Sequence, residues 1–126
     1  MLGNKDAQAT VPVKSLDRAR PFYEQVLGLE PLPAEQPGVQ GYKAGGSTVL
    51  VYESAFAGTN KATTVTWPLG ASFDEVVKGL QAKGVAFLHY DGMLGVILEG
   101  DVHVAGDMRV AWFQDPDGNI INIGNY

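Results

Sequence analysis

The sequence contains no cysteine among its 126 residues. This excludes a disulfide framework, a thiolate metal site and a cysteine nucleophile. No apolar run approaches the ~18 residues that a membrane-spanning helix needs. The first six residues, from Met1 to Asp6, also lack the apolar segment of a signal peptide. We therefore expect a cytoplasmic protein without a membrane partner.

Basic side chains are scarce as well. The chain has 9 Lys and Arg but 14 Asp and Glu, and its formal net charge is −5. A nucleic-acid interface needs clustered basic side chains, and the few present here are scattered along the sequence. We expect no nucleic-acid partner. The hydrophobic content of 45% in a chain of this length is typical of a single domain, residues 1–126, with a substantial core.

The first part of the chain predicts a βαβββ module over residues 1–54. Alternation of Ala9, Val11 and Val13 indicates a half-buried strand over 8–14. Because Pro12 lacks an N–H, this strand is expected to lie at a sheet edge or to be broken near Pro12. Ser15 is a typical N-cap for a helix over 16–27 that ends at a glycine. Strands are expected at 29–32, 39–44 and 47–53.

After a connector at 55–61, the same pattern returns over residues 62–126. A strand over 62–69 precedes a helix over 73–83, for which Ser72 and Glu75 form a capping box. Strands at 85–90, 108–114 and 119–123 follow. The prediction is an α+β fold of two tandem βαβββ modules. Each helix covers one face of its curved sheet, and the uncovered faces enclose a cleft.

The segment 91–107 interrupts this pattern. It is rich in apolar residues and divided by glycines. Connections this long in a compact domain are usually functional lids or disordered segments. The apolar content favours a lid or a dimer contact over disorder, and part of the segment is compatible with strand.

Two motifs at opposite ends of the chain carry a family resemblance. Near the end, Asp115-Pro-Asp-Gly118 is a strong turn signal between two apolar runs, which predicts a β-hairpin over 110–123. Near the start, V-x-x-L-D-R-A-x-x-F-Y-x-x-V-L-G-L runs from Val13 to Leu29. Near the end, F-x-D-P-D-G-N-x-x-x-I runs from Phe113 to Ile123. Together, the two motifs resemble those of the vicinal oxygen chelate superfamily, which includes glyoxalase I, extradiol dioxygenases, and bleomycin- and fosfomycin-resistance proteins.

The resemblance covers nearly the whole chain and implies a homodimer, with the cleft formed either within one chain or between two. It is specific for the fold and uninformative about the activity, because this fold hosts several unrelated chemistries.

The resemblance also implies where a metal would bind. Metal-using members hold their ion with His, Gln or Glu from the first and last strands of each module. The matching positions here are Gln8, Thr64, Asn122 and either Val51 or, with a shift of two residues, Glu53. A divalent cation needs anionic oxygens or imidazoles to offset its dehydration, and this set supplies at most one carboxylate. We therefore expect no metal cofactor.

Without a metal, the same side chains predict a site for a small, mainly apolar ligand. Gln8, Glu53, Thr64 and Asn122 would be its polar contacts and Trp112 a stacking wall. The alternative is that the polar groups face trapped water or one another, and that Trp112 is an ordinary core aromatic.

Two side chains are candidates for catalysis. Glu53, if buried in the cleft, would have a raised pKa and could act as a general base, and His103 in the 91–107 segment could reach the cleft. Whether the protein is an enzyme stays open. The favoured function is a non-catalytic binder. The alternatives are a divergent metal-dependent lyase, isomerase or dioxygenase, a metal-free enzyme, and an interaction domain with a vestigial cleft.

Overall fold

The structure, a computed structural model, describes residues 1–34 and 36–126 and contains the two predicted modules. The first consists of β1 (Ala9–Val13), α1 (Leu16–Arg20), a π-helical turn (Pro21–Val26), β2 (Glu30–Pro31), β3 (Val39–Ala44) and β4 (Ser47–Glu53). Its strands lie in the order β1-β4-β3-β2. Because β1 is an edge strand, Pro12 is accommodated without loss of a ladder hydrogen bond, as expected.

The second module repeats this plan with additional strands. It consists of β5 (Thr63–Pro68), a 3₁₀ turn (Gly70–Ser72), α2 (Phe73–Ala82), β6 (Phe87–Leu88), β7 (Ile97–Glu99), β8 (Val102–Ala105), β9 (Met108–Gln114) and β10 (Ile120–Gly124). The sheet order is β5-β10-β9-β8-β7, and β6 also pairs with β9. The predicted terminal hairpin is confirmed, since β9 and β10 pair antiparallel with Trp112 opposite Asn122. Among the described residues, no helix combines the length and apolar character that crossing a membrane requires.

The segment 91–107 extends the second sheet. Its β7–β8 hairpin pairs with the start of β9, where His103 lies opposite Val110. Strand β6 pairs further along the same edge of β9, where Leu88 lies opposite Trp112. The expectation that part of this segment is strand is therefore confirmed, and its role as a lid or a dimer contact stays a prediction.

One apolar core runs through both modules on the side of the sheets that carries the helices. The strands contribute alternate residues to it, among them Val11, Val13, Val49, Val51, Ala111, Phe113, Ile121 and Ile123. We call this side the helix face and the opposite side the open face. The curved sheets enclose the predicted cleft on the open face.

Both helices begin differently from the prediction. The Ser15 hydroxyl makes no capping hydrogen bond to the described residues. Instead, the N–H of Leu16 donates to Oε2 of Glu53 at 3.0 Å, so a distant carboxylate caps the start of the helix. The capping box at Ser72 is wrong. Ser72 ends a 3₁₀ turn, and its hydroxyl donates backwards to the carbonyl oxygen of Leu69 at 2.8 Å.

The first helix widens where the family motif carries its aromatic pair. From Pro21 onward the hydrogen bonds span five residues, as in the bond from Leu27 N–H to the carbonyl of Phe22 at 2.9 Å. Phe22 and Tyr23 are both buried, with their rings in an edge-to-face arrangement at 5.2 Å. Gly28, at φ +71°, ends the helix as predicted.

Tyr23 connects the two modules. Its hydroxyl donates to Oδ2 of the buried Asp115 at 2.6 Å, and Asn119 Nδ2 donates to the carbonyl of Pro12 at 2.6 Å. Burial, reinforced by the neighbouring Asp115 carboxylate, raises the pKa of Tyr23 well above its ordinary value. The phenol therefore stays protonated and remains a donor. The two motifs that carry the resemblance are thus in direct contact.

We predict that Tyr23→Phe destabilises the fold by about 1–3 kcal/mol, because it removes one donor from a buried carboxylate. Thermal unfolding should show a fall of several degrees in Tm. The matched control is Tyr42→Phe. Tyr42 stacks on Tyr23, but its hydroxyl reaches only the half-buried Glu24 at 3.2 Å. Burial raises the pKa of Tyr42 to about 12, so this phenol is also protonated at neutral pH. Equal losses from the two variants would contradict a special role for the Tyr23–Asp115 bond.

Candidate functional site

Trp112 projects from β9 onto the open face and is half-buried. Its indole N–H donates to Oγ1 of Thr63 on β5 at 3.2 Å, so the ring crosses the intervening strand β10. This bond fixes the orientation of the ring. The predicted wall of the cleft therefore has a defined position.

Two further rings pack edge-on against Trp112. The centroid of His103 lies 4.9 Å away at 86°, and that of Tyr90 lies 5.2 Å away at 90°. We call Tyr90, His103 and Trp112 the aromatic cluster. Such edge-to-face contacts stabilise by about 0.5–1.5 kcal/mol each beyond the area that they bury. His103, predicted from its place in the 91–107 segment, thus lies on the open face beside Trp112.

His103 has a buried donor that is left unused. Its side chain is 1% exposed, and its Nε2 accepts a hydrogen bond from the Tyr90 N–H at 2.9 Å. A neutral imidazole that accepts at Nε2 carries its proton on Nδ1. Within residues 1–34 and 36–126, no acceptor lies in hydrogen-bonding geometry of Nδ1, although the Val110 backbone still interacts with the ring. Burial, and secondarily the charge of His89, lowers the pKa of His103, which favours this neutral form.

Asn122 lies opposite Trp112 and has both ends of its amide engaged. Nδ2 donates to the carbonyl of Ala111 at 3.1 Å, and Oδ1 accepts from the hydroxyl of Tyr126 at 2.7 Å. The last residue of the chain therefore folds back onto the position where the resemblance suggested a ligand contact. Among the described residues, one N–H and one lone pair of the amide stay unused, and the Tyr126 hydroxyl lies against Oδ1.

Gln8 and Thr64 lie at separate points of the open face. Gln8 precedes β1 and lines a pocket of about 300 Å³ on the first module, whose other walls include Leu32, Val39 and Leu50. Thr64 is half-buried at an irregularity of β5, because the pairing with β10 steps from Thr63 directly to Val65. The structure thus brings together Trp112, Asn122 and His103, with Gln8 on the other module.

The structure corrects the placement of Glu53 in the cleft. Glu53 shares its strand parity with Val49 and Val51, whose side chains are buried on the helix face. Its carboxylate receives the Leu16 N–H at the start of α1. The two-residue shift that put Glu53 in the cleft moves along the same face of the strand, so neither Val51 nor Glu53 points to the open face.

The residues at the family's metal positions do not fit a divalent cation. Gln8, Thr64 and Asn122 are neutral, Oδ1 of Asn122 already accepts from Tyr126, and Glu53 belongs to the other face. Within the described part of the chain, no three His, Cys, Asp or Glu side chains come together as a metal-holding group. A cation here would have too few anionic ligands to offset its dehydration.

Sequence reasoning missed three residues of this region, namely Thr63, Tyr90 and Tyr126. Tyr126 lies four residues after Asn122, beyond the last predicted strand, and reaches it only through the bend of the chain end. Tyr90 follows the short strand β6, where parity predicts its face correctly. The bond from Trp112 to Thr63 depends on the irregularity in β5, which alternation of residue types does not reveal.

The fold and site together define an α+β protein of two tandem βαβββ modules, with aromatic and neutral polar side chains on the open face. The family model described as "Glyoxalase/Bleomycin resistance protein/Dioxygenase superfamily" matches residues 7–123. The chain belongs to this superfamily, and the resemblance seen in the two motifs is confirmed. The comparison with curated protein sequences gave no significant match.

Solved structures share the fold at low sequence identity. A glyoxalase/bleomycin resistance protein/dioxygenase from Alicyclobacillus acidocaldarius is 19% identical with a TM-score of 0.70, over 96% of this chain and 90% of that one. A lactoylglutathione lyase from Agrobacterium tumefaciens is 17% identical with a TM-score of 0.70, over 98% and 95%. The fosfomycin resistance protein FosX from Listeria monocytogenes is 16% identical with a TM-score of 0.69, over 94% and 90%.

The depressed pKa of His103 predicts a pH-dependent stability. As pH falls below 6.5, the ordinary histidine value, the unfolded chain binds a proton that the buried ring resists. The stability that this neutral ring contributes is therefore complete above pH 6.5 and is lost as pH falls towards the lower folded pKa. We expect the free energy of unfolding of His103→Gln to change less than that of the parent between about pH 7 and 5.

Urea titrations at several pH values measure this difference. His89→Gln is the comparison variant, because it removes the other, exposed histidine, which pairs with Asp101 at 2.8 Å. It also removes the His89 charge that contributes to lowering the pKa of His103, so it should reduce the pH dependence less than His103→Gln does. Carboxylates other than Asp101 titrate in all three proteins and cancel in the comparison. Parallel pH profiles of the parent and His103→Gln would contradict the prediction.

Proposed function

We propose that this glyoxalase/bleomycin-resistance-like protein binds a small, mainly apolar molecule on its open face without a metal. The observation that carries the proposal is the aromatic cluster of Tyr90, His103 and Trp112, which combines a stacking surface with one buried, unpaired N–H. Ligand pockets typically have this composition, with apolar and aromatic walls and a few placed polar groups.

Trp112 supplies the apolar contact. Its ring is held by the bond to Thr63 and by the perpendicular rings of His103 and Tyr90, so little side-chain entropy is lost when a ligand stacks on it. A preorganised ring is a more effective binding surface than a mobile one.

The polar contacts are neutral donors. Nδ1–H of His103 would donate to a carbonyl, hydroxyl or ether oxygen of the ligand once the Tyr90 ring moves aside. Gln8 and Thr64 offer further amide and hydroxyl groups. Asn122 would join them through its second N–H or, in exchange for the bond to Tyr126, through Oδ1. A ligand with one or two uncharged oxygens on an apolar body suits this set.

The two catalytic candidates separate in this proposal. Glu53 is not a base for the cleft, because its carboxylate caps α1 on the other face. His103 carries its proton on the unpaired nitrogen, which makes it a donor to the ligand. The alternative is a lyase or dioxygenase reaction that depends on a metal. It requires metal-coordinating side chains other than those at the family positions. Assembly as a homodimer and a cytoplasmic location stay predictions from the family resemblance and the composition.

We predict that Trp112→Ala weakens ligand binding by about 1 kcal/mol or more, because it removes the stacking surface. The ligand is first found by screening uncharged aromatic and aliphatic compounds for a change in tryptophan fluorescence. Isothermal titration then compares parent and variant, and circular dichroism establishes that both are folded.

Trp67 provides the matched control, because the chain has two tryptophans and Trp67 lies on the helix face. Trp67→Phe should retain both the affinity and the fluorescence response, whereas Trp112→Phe should lose the response. The opposite result, in which only Trp67→Phe loses the response, would place the ligand away from the open face and contradict the proposal.

We predict that added Zn²⁺, Ni²⁺, Mn²⁺ or Fe²⁺ leaves the Tm of chelator-treated protein almost unchanged. A ligand at ~100 times its Kd would stabilise the fold by roughly 2.7 kcal/mol, which is several degrees for a domain of this size. A shift of that size with stoichiometric metal would favour the metal-dependent enzyme. Asn122→Ala would then show whether the family position holds the ion.

A further inference from the structure

A second pocket lies on the helix face, separated by the sheet from Trp112. Its volume is about 300 Å³, and it opens between α2 and the end of the π-helical turn. The sheet contributes Trp67, Leu69, Phe113 and Ile123, and Val26, Leu27 and Leu29 close one side. This lining is apolar, and the open-face site does not use it.

Gly79 keeps this pocket open. Val76, Gly79, Leu80 and Lys83 form one stripe of α2 along the pocket, at the spacing where a core-facing helix carries side chains. A Cβ at Gly79 would have no described atom within 4 Å. A glycine inside a helix costs roughly 0.5–1 kcal/mol relative to alanine. The helix therefore bears a cost in stability at an exposed position on the pocket wall, where a larger side chain would occupy the pocket.

One cation stands at the rim of the pocket. Nζ of Lys83 donates to the carbonyl of Gln25 at 2.7 Å and to that of Val26 at 3.4 Å. These carbonyls hold the ammonium beside the apolar lining, and one of its three N–H donors is left for another acceptor. A fixed positive group at the mouth of an apolar pocket favours a ligand with an anionic head.

We propose that this pocket binds an amphipathic monoanion, whose apolar chain lies between α2 and the first helix and whose carboxylate meets Lys83. The site is independent of the ligand proposed for the open face. Medium-chain carboxylates have this chemistry, so octanoate is the probe and 1-octanol is its uncharged counterpart.

The experiment uses the Trp112→Phe protein, in which Trp67 is the remaining tryptophan. Octanoate should change Trp67 fluorescence in a saturable way. In the same background, Gly79→Leu should fill the pocket, raise Tm and weaken octanoate binding by at least about tenfold. Gly79→Ala, which adds one methyl group, should raise Tm and retain binding.

Lys83→Met separates the head-group contact from the apolar contact. It should weaken octanoate by about threefold, the scale of an exposed ion pair, and leave 1-octanol unchanged. No saturable response to octanoate, or parental affinity in Gly79→Leu, would overturn the proposal. Equal effects of Lys83→Met on both probes would overturn the role of the ammonium. Because the background lacks Trp112, failure of the open-face site leaves these outcomes unaffected.

Discussion

The buried carboxylate of Asp115 is the constraint on which the arrangement of the two modules depends. It accepts the N–H groups of Asp117 and Asn119, the side-chain amide of Asn119, and the hydroxyl of Tyr23. A buried charge without such partners would be strongly destabilising. The turn in the last hairpin and the widened helix of the first module are therefore tied to one group. This explains why the two motifs, far apart in the sequence, occur together.

Local patterns predicted the regular parts of the fold well. The bounds of β3, β4 and β9 match the predicted strands, and α2 differs by one residue. These segments have strong alternation or a helical stripe, together with glycine or turn residues at their ends. The prediction was weaker where long-range contacts decide. The end of the first helix becomes a π-helical turn, and the 91–107 segment joins the sheet.

The candidate site shows the same division. Parity placed Asn122 and Trp112 on the same face correctly, because both belong to a regular hairpin with a defined turn. The placement of Glu53 in the cleft was wrong because it was carried over from the family, whereas strand parity puts Glu53 on the same face as Val49 and Val51. No local pattern indicates that Tyr126 occupies Asn122 or that His103 retains a free N–H, since both depend on how distant strands and the chain end meet.

The connector between the modules has a consequence for how the chain holds together. A Cβ at Gly58 would collide with the carbonyl oxygen of Asp117, so the connector lies directly against the terminal turn. The connector is therefore packed against the second module and is not a flexible linker. A chain cut at this point would yield two halves with complementary edges, each carrying one side of a buried hydrogen-bond network. Such halves are suited to reassembly by fragment complementation, which makes this small domain a natural candidate for a split reporter.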